Sequence, residues 1–377
     1  MAPPRVIVAP DKFKGSCTAR EAVDAIVLGL RDAWGDAATY AAIPLADGGD
    51  GTVTAFLDGG AVPQHVRVVD ALGTPVDVTY ARSGPSAILE MAAASGLALL
   101  GQNLAPRRAT TYGTGLLIAD ALAGGATRIV LGIGGSATTD GGAVARAALG
   151  VRFLDANGAV LEPAPAALAA LASIDASGLD PRLANVSLEI ACDVDNPLLG
   201  PTGAAAVYAP QKGATPADVA FLEGVLARLA DVARRASGRD LRAMPGAGAA
   251  GGLGWGLATF AGARLAGGFD IVAKLQGLED ALRGAALCIT GEGRIDRQSL
   301  DGKVVAGVAY LAAAAGVRVI AIGGSVDPLV VPDLLARGVT CIALIEDPAE
   351  RERAMCEAPA FIRAAVARWA RAQPVPV

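Results

Sequence analysis

RVIVAPDKFKGS, residues 5–16, decides the fold. Arg5 to Ala9 is a short run rich in β-branched residues, and Pro10 ends it. A polar loop with Asp11, Lys12, Lys14 and Ser16 follows, and Ala19 to Trp34 then carries apolar residues at roughly helical spacing. Strand, loop and helix in that order open a βαβ unit, whose strands lie parallel beneath covering helices. The C-terminal third repeats the alternation, with strands expected at Ala286 to Thr290, Val317 to Ile322 and Thr340 to Leu344. Helices are expected between them near Lys303 to Ala315 and Pro332 to Ala336, and a closing helix over Pro348 to Ala370. The middle reads differently. Val66 to Val69, Val76 to Ala81 and Ala87 to Met91 are separated by turn residues with no room for a helix, which is antiparallel meander behaviour. Alternation resumes through Tyr112 to Leu122, Arg128 to Ile133 and Ser187 to Val194. The expected class is therefore α/β with two domains. Residues 1–70 and 270–377 form a discontinuous Rossmann-like parallel-sheet domain from both chain ends, residues 71–269 form an inserted mixed α/β domain, and the active site lies in the cleft between them.

The chain has 377 residues, 53% of them hydrophobic, enough for a sizeable core in each domain. Its net charge of −5 is spread over both signs without a basic stripe, so nucleic acid is not an expected partner. Cys17, Cys192, Cys288, Cys341 and Cys356 show no CxxC and no metal-ligand spacing, and read as reduced core thiols. Met1 leads through prolines directly into the first strand without a signal-peptide core. No apolar run reaches the ~18 residues of a membrane span, so a cytoplasmic protein with no membrane partner is expected. No motif specifies an oligomeric state, and Glu162 to Ala170 is the one low-complexity stretch, rich in Ala and Pro.

Five glycine clusters are interleaved with carboxylates or lysines: residues 9–16, 44–52, 132–142, 246–254 and 289–296. Glycines after a strand let backbone N–H groups close on an anion, and neighbouring carboxylates suit the metal that accompanies it. In GIGGSATTDGG, Gly134 and Gly135 open the backbone, while Ser136, Thr138 and Thr139 add hydroxyl donors or a helix cap. Gly132, Gly134 and Ala137 also fit a loose dinucleotide fingerprint, with Asp155 in the place of a ribose-binding acid, so an NAD(P)-dependent hydroxy-acid oxidoreductase stands as an alternative. Lys12 and Lys14 are mobile cations or a solvated loop. Asp47 and Asp50 suit Mg²⁺ or ordinary turns. Asp193 and Asp195 end a strand in ACDVDNP, as a base for a substrate hydroxyl or as turn caps. The single histidine, His65, reads as a surface strand residue. Glu292, Arg294, Asp296 and Lys303 cluster after the strand at 286–290, and Gly248 to Gly254 is either a ligand-contacting loop or a close helix–helix or hinge element. No GxxxxGK[ST] occurs, and the protein-kinase signatures are absent.

Taken in order, APDKFKGS, PLADGGDGT, TTYGTG, GIGGSATTDGG, ACDVDNPLLGP, PQKGA, PGAGAAGGLG and ITGEGRIDRQSLDGK resemble the bacterial type-1 glycerate kinases over nearly the whole chain. The resemblance implies ATP- and Mg²⁺-dependent phosphorylation of D-glycerate, to 2-phosphoglycerate rather than 3-phosphoglycerate, in glyoxylate or glycerate metabolism. In that light Asp193 orients or deprotonates the attacking hydroxyl, and Lys12 and Arg294 are catalytic cations. Asp11, Lys14, Ser16, Gly134, Gly135, Ser136, Thr138, Gly251 and Gly252 are expected to bind substrate or phosphate, and Asp47, Glu292 and Asp296 to hold Mg²⁺. Asp50 stands where the family pattern has glutamate, Leu116 where glutamate is expected, and Thr139 where asparagine is expected.

Overall fold

A computed structural model describes residues 3–162, 164–300, 303–345 and 347–376. Pro163 of the Ala/Pro stretch and Asp301 and Gly302 of the last glycine motif lie outside the described residues. The strands are β1 (Arg5–Val8), β2 (Thr39–Ala42), β3 (Val62–Val69), β4 (Pro75–Ser83), β5 (Ser86–Glu90), β6 (Arg128–Gly132), β7 (Arg152–Leu154), β8 (Ser173–Asp175), β9 (Ser187–Ala191), β10 (Arg264–Ala266), β11 (Leu287–Ile295), β12 (Val319–Val326) and β13 (Val339–Ala343). The chain packs as two units. One comprises Met1–Asp47, Thr54–Gly60 and Phe269–Val377, the other Gly48–Val53 and Ala61–Gly268. The division falls earlier than the expected 70/71 boundary, because β3 pairs along its length with β4 inside the second unit's sheet.

The first unit holds a parallel sheet in the order β13-β12-β11-β1-β2. The helix Ala19–Trp34 starts at Thr18, whose hydroxyl accepts the Glu21 N–H while the Glu21 carboxylate accepts the Thr18 N–H, a reciprocal cap that satisfies two backbone donors. Its apolar face shares a core with the helix Ala358–Arg371 and with β1, β11 and β12. The expected closing helix is two helices, Arg351–Cys356 and Ala358–Arg371, because Pro359 has no N–H to continue the first and is tolerated in the opening turn of the second. The last glycine motif is also corrected. Residues 291–295 form no loop but continue β11, paired with β12 as Glu292↔Gly323 and Arg294↔Ser325. A Cβ on Gly291 would lie 2.4 Å from the Ile322 carbonyl oxygen, so glycine there serves close strand approach.

The second unit holds a sheet in the order β10-β9-β6-β5-β4-β3, parallel from β10 through β5 and antiparallel through the β5-β4-β3 meander. One core lies between this sheet and the helix Tyr112–Ala123. Another gathers around the helix Pro216–Ser237 and the small β7-β8 ribbon. His65 is exposed on β3 and shares a hydrogen bond with the Thr79 hydroxyl, as a surface strand residue should. All five cysteines are free, but Cys356 is exposed rather than in a core.

Candidate active site

In the first unit β1 and β11 are adjacent, and β1 connects onward to β2 on one side while β11 connects onward to β12 on the other, the switch point at whose carboxyl edge α/β sheets bind ligands. Asp11 leaves β1 there, its N–H donating to the Gly291 carbonyl of β11 at 2.9 Å and its own Oδ1 accepting the Lys12 N–H at 2.6 Å. Asp47 follows β2, and Glu292 lies in β11. Burial pushes the Asp11 carboxyl up to about 7; Asp47 adds to the rise, the Lys12 N–H and ammonium oppose it, and Glu292 adds again. Burial likewise raises Glu292, with the Ser299 hydroxyl and Lys303 working against it and Asp296 and Asp47 reinforcing it. Lys12 is half-buried and Lys14 exposed, while Ser16 sits in the turn Phe13–Cys17 with its N–H on the Phe13 carbonyl. Arg294 is exposed and pairs with Asp296 at 3.2 Å, and Asp296 also caps its own turn through the Gln298 N–H.

Among the described residues, no three His, Cys, Asp or Glu side chains converge at metal-ligand spacing, so Asp47, Glu292 and Asp296 do not form a protein cage. The chemistry of the edge nevertheless fits a hard cation. The Asp47 carboxylate raises the proton affinity of both Asp11 and Glu292, Glu292 adds to the rise at Asp11, and Glu292 Oε1 is a buried carboxylate oxygen without a hydrogen-bond partner. Mg²⁺ is commonly held by one or two carboxylates, with waters and substrate phosphates completing its shell.

The second unit builds its site from strand register. Glu90, Gly132, Ala191 and Ala266 lie in one row across β5, β6, β9 and β10. The loop Gly134–Ser136 and Asp193 therefore leave neighbouring parallel strands at one edge. Gly134 and Gly135 are exposed, and Gly135 has φ +69°, a left-handed conformation that glycine adopts without strain. Gly49 and Asp50 lie beside Gly134. Asp193 is exposed, and its Oδ1 accepts the Gly268 N–H at 2.8 Å, which orients the carboxylate. Glu90, which the glycine motifs did not flag, accepts the Val53 N–H at 2.7 Å.

Other expectations are redistributed. Thr138 is fully buried. Gly251 and Gly252 are buried too, and a Cβ on Gly251 would fall 2.1 Å from the Thr138 carbonyl oxygen, so this loop packs backbone against backbone on residues 138–141. Ala250 beside them has φ 51°, the one non-glycine left-handed residue among those described. Asp155 lies beyond β7, outside the sheet that contains β6, and caps its own turn by accepting the Asn157 and Ala159 N–H groups. A ribose-binding acid belongs on the strand next to the fingerprint strand, so the dinucleotide reading loses its acid. Lys212 was likewise missed. It is 1 % exposed, and its Nζ donates to Ser136 Oγ at 2.8 Å and to the Thr138 carbonyl at 2.6 Å.

One parallel and one mixed α/β sheet, carrying crowded carboxylates and an open glycine loop at their carboxyl edges, are of the class that suits anionic ligands and a hard cation. The glycerate kinase family matches residues 6–373. The chain is 49% identical over 328 residues to a glycerate kinase of Bacillus subtilis strain 168, covering 86% of this chain and 85% of that protein. It is 45% identical over 325 residues to the glycerate 2-kinase of Escherichia coli K12, covering 85% of each. A crystal structure from Salmonella typhimurium LT2, assigned as a glycerate kinase 2, superposes with a TM-score of 0.90 at 43% identity and covers 98% of both chains. This chain belongs to the glycerate kinase family, and it is a kinase.

Proposed function

We propose that the protein transfers the terminal phosphoryl group of ATP to the 2-hydroxyl of D-glycerate, with Mg²⁺, giving 2-phosphoglycerate and ADP. The observation that carries this reading is the row Glu90, Gly132, Ala191, which sets an anion-ready loop beside a backbone-oriented carboxylate, Asp193, in a chain related to a protein named glycerate 2-kinase. Asp193 accepts the proton of the attacking hydroxyl as the new O–P bond forms and the bond to the ADP oxygen breaks. The Gly134–Ser136 loop offers N–H and O–H donors to anionic oxygens. On the first unit's edge, Glu292 and Asp47 would hold Mg²⁺, which supplies charge neutralisation when bound; Asp296 acts through its pair with Arg294. Lys12, Lys14 and Arg294 supply positive charge to anionic oxygens.

Purified protein supplied with ATP, Mg²⁺ and D-glycerate should form ADP in a glycerate-dependent manner, with the phosphorus signal of 2-phosphoglycerate in the product. A 3-phosphoglycerate signal would overturn the regiochemistry, and no ADP would overturn the whole reading. Asp193→Asn should lower kcat by at least about 10²-fold with unchanged circular dichroism, and near-normal turnover would remove Asp193 as the base.

A further inference from the structure

The glycine loop of the second unit has an ammonium buried behind it. Lys212 closes the short turn Pro210–Lys212, and Gly213, at φ +87°, turns the chain away. The two acceptors of Lys212 are both on the loop, Ser136 Oγ and the Thr138 carbonyl oxygen. The acid that acts on it, Asp140, is engaged with the Thr111 N–H, the Thr111 hydroxyl and the Gly142 N–H. A serine oxygen that accepts from an ammonium has its own hydrogen directed elsewhere. Ser136 is half-buried beside the exposed Gly134 and Gly135, on the open side of the loop. A positive charge in a water-poor interior also acts more strongly on a nearby anion than one in solvent.

We propose that Lys212 is a positioning residue that makes Ser136 a standing hydrogen-bond donor and backs the Gly134–Ser136 loop with positive charge, so that the loop selects an anionic oxygen of a phosphoryl or carboxylate group. This rests on the reading of that loop as a binding element for ATP or glycerate. Lys212 does not touch the ligand. Burial drives the Lys212 pKa down to about 7, with Asp140 opposing, so an arriving anion stabilises the charged form.

The test is steady-state kinetics with ATP and D-glycerate varied separately, on Lys212→Met, Lys212→Arg, Ser136→Ala, the Lys212→Met/Ser136→Ala pair and Gly134→Val. Lys212→Met and Ser136→Ala should each raise the KM of the same substrate about 10-fold, the loss expected for a hydrogen bond to a charged group, and move kcat far less. The substrate affected tells whether the phosphoryl or the carboxylate oxygen is bound. Lys212→Arg should recover most of the loss, and the double variant should be little worse than either single one, because both changes remove the same donor. Additive losses, or unchanged KM values in folded Lys212→Met, overturn the proposal. Should Lys212→Met not fold, unchanged KM values in Ser136→Ala overturn it alone. Gly134→Val separates this inference from the underlying one. A Cβ there meets its nearest neighbour, Gly49 Cα, at an ordinary 3.5 Å, so the added side chain mainly fills the open side of the loop. If Gly134→Val leaves both KM values unchanged, the loop is not a binding element. If it raises one and Lys212→Met does not, only the role of Lys212 falls.

Discussion

Asp140, Arg146 and Lys212 are each at most 1 % exposed, an unusual density of buried charge for one interior. Arg146 donates from Nε to the Gly142 carbonyl and lies over the rings of Phe153, Trp255 and Phe260, with Nη1 and Nη2 unpartnered. Burial lowers its pKa to about 9, against the pull of Asp140. Lys212 carries a pH signature that can be isolated. Its folded pKa of about 7 lies below the ordinary 10.5 of the unfolded chain. Below pH 7 both states hold the proton, and the folded state bears the full cost of a buried charge. Between pH 7 and 10.5 only the unfolded state keeps the proton, so this group makes stability rise with pH, and above 10.5 the cost is gone. Lys212→Met lacks that rise. Urea unfolding from pH 6 to 10 should show the stability difference between the two proteins constant below pH 7 and moving steadily in favour of the wild type above it; a flat difference would show that Lys212 is not perturbed. None of this was legible locally. PQKGA carries no sign that its lysine is buried, because the burial comes from a loop 76 residues earlier in the chain at Ser136. The placement of Asp193 just beyond β9 was legible, since a strand pattern ending in clustered acids needs no long-range knowledge.

At the scale of elements, the five glycine motifs look alike in sequence and separate in structure. Residues 134–136 form an open loop after β6, residues 246–254 are a buried packing element, and residues 289–296 lie almost wholly within β11. Composition cannot distinguish a glycine that faces a ligand from one that faces another backbone, because both need the missing Cβ. Strand and helix periodicity was more informative. The helix Ala19–Trp34 and the meander were readable from pattern, whereas the three-residue strands β7, β8 and β10 are too short to show any period. The helix Pro216–Ser237 is announced by the box Thr215/Asp218 and by Gly238 at φ +71°, signals that glycine-motif reading passes over. Leu116, where the family pattern has glutamate, packs against the second unit's core and so has an apolar role. Two helix glycines give opposite predictions. A Cβ on Gly115 would sit 2.4 Å from the Ala145 carbonyl oxygen of the adjoining helix, while one on Gly224 meets nothing within 4 Å. Gly224→Ala should therefore stabilise by about 1 kcal/mol through helix propensity, and Gly115→Ala should destabilise by about 1–3 kcal/mol through overpacking. Chemical denaturation of both variants checks this, and a stabilised Gly115→Ala would contradict the close approach.

At the scale of the molecule, the short excursion Gly48–Val53 is the part of the layout that sequence could not show, since six residues carry no periodicity. The apolar clusters respect the division. The core around Trp34 draws only on the two chain ends, and the cores around Leu89 and Trp255 draw only on residues 61–268. A unit that buries its own apolar surface has its own cooperative transition, because most of the stabilising free energy is internal to it. The three tryptophans make this measurable. Trp34 and Trp369 stack edge to face at 5.8 Å in the first unit, with Trp34 Nε1 donating to the Ala370 carbonyl, and Trp255 is buried in the second. Trp255→Phe leaves fluorescence that reports the first unit, and the Trp34→Phe/Trp369→Phe pair leaves fluorescence that reports the second, each with the reported unit unaltered. In urea the two fluorescence curves should have different midpoints, and the circular dichroism of the wild type should resolve into the same two steps. The second unit, which carries more of the chain, should show the steeper dependence on urea, since that slope follows the surface exposed. Coincident curves of equal slope would mean that the separate cores do not make separate folding units.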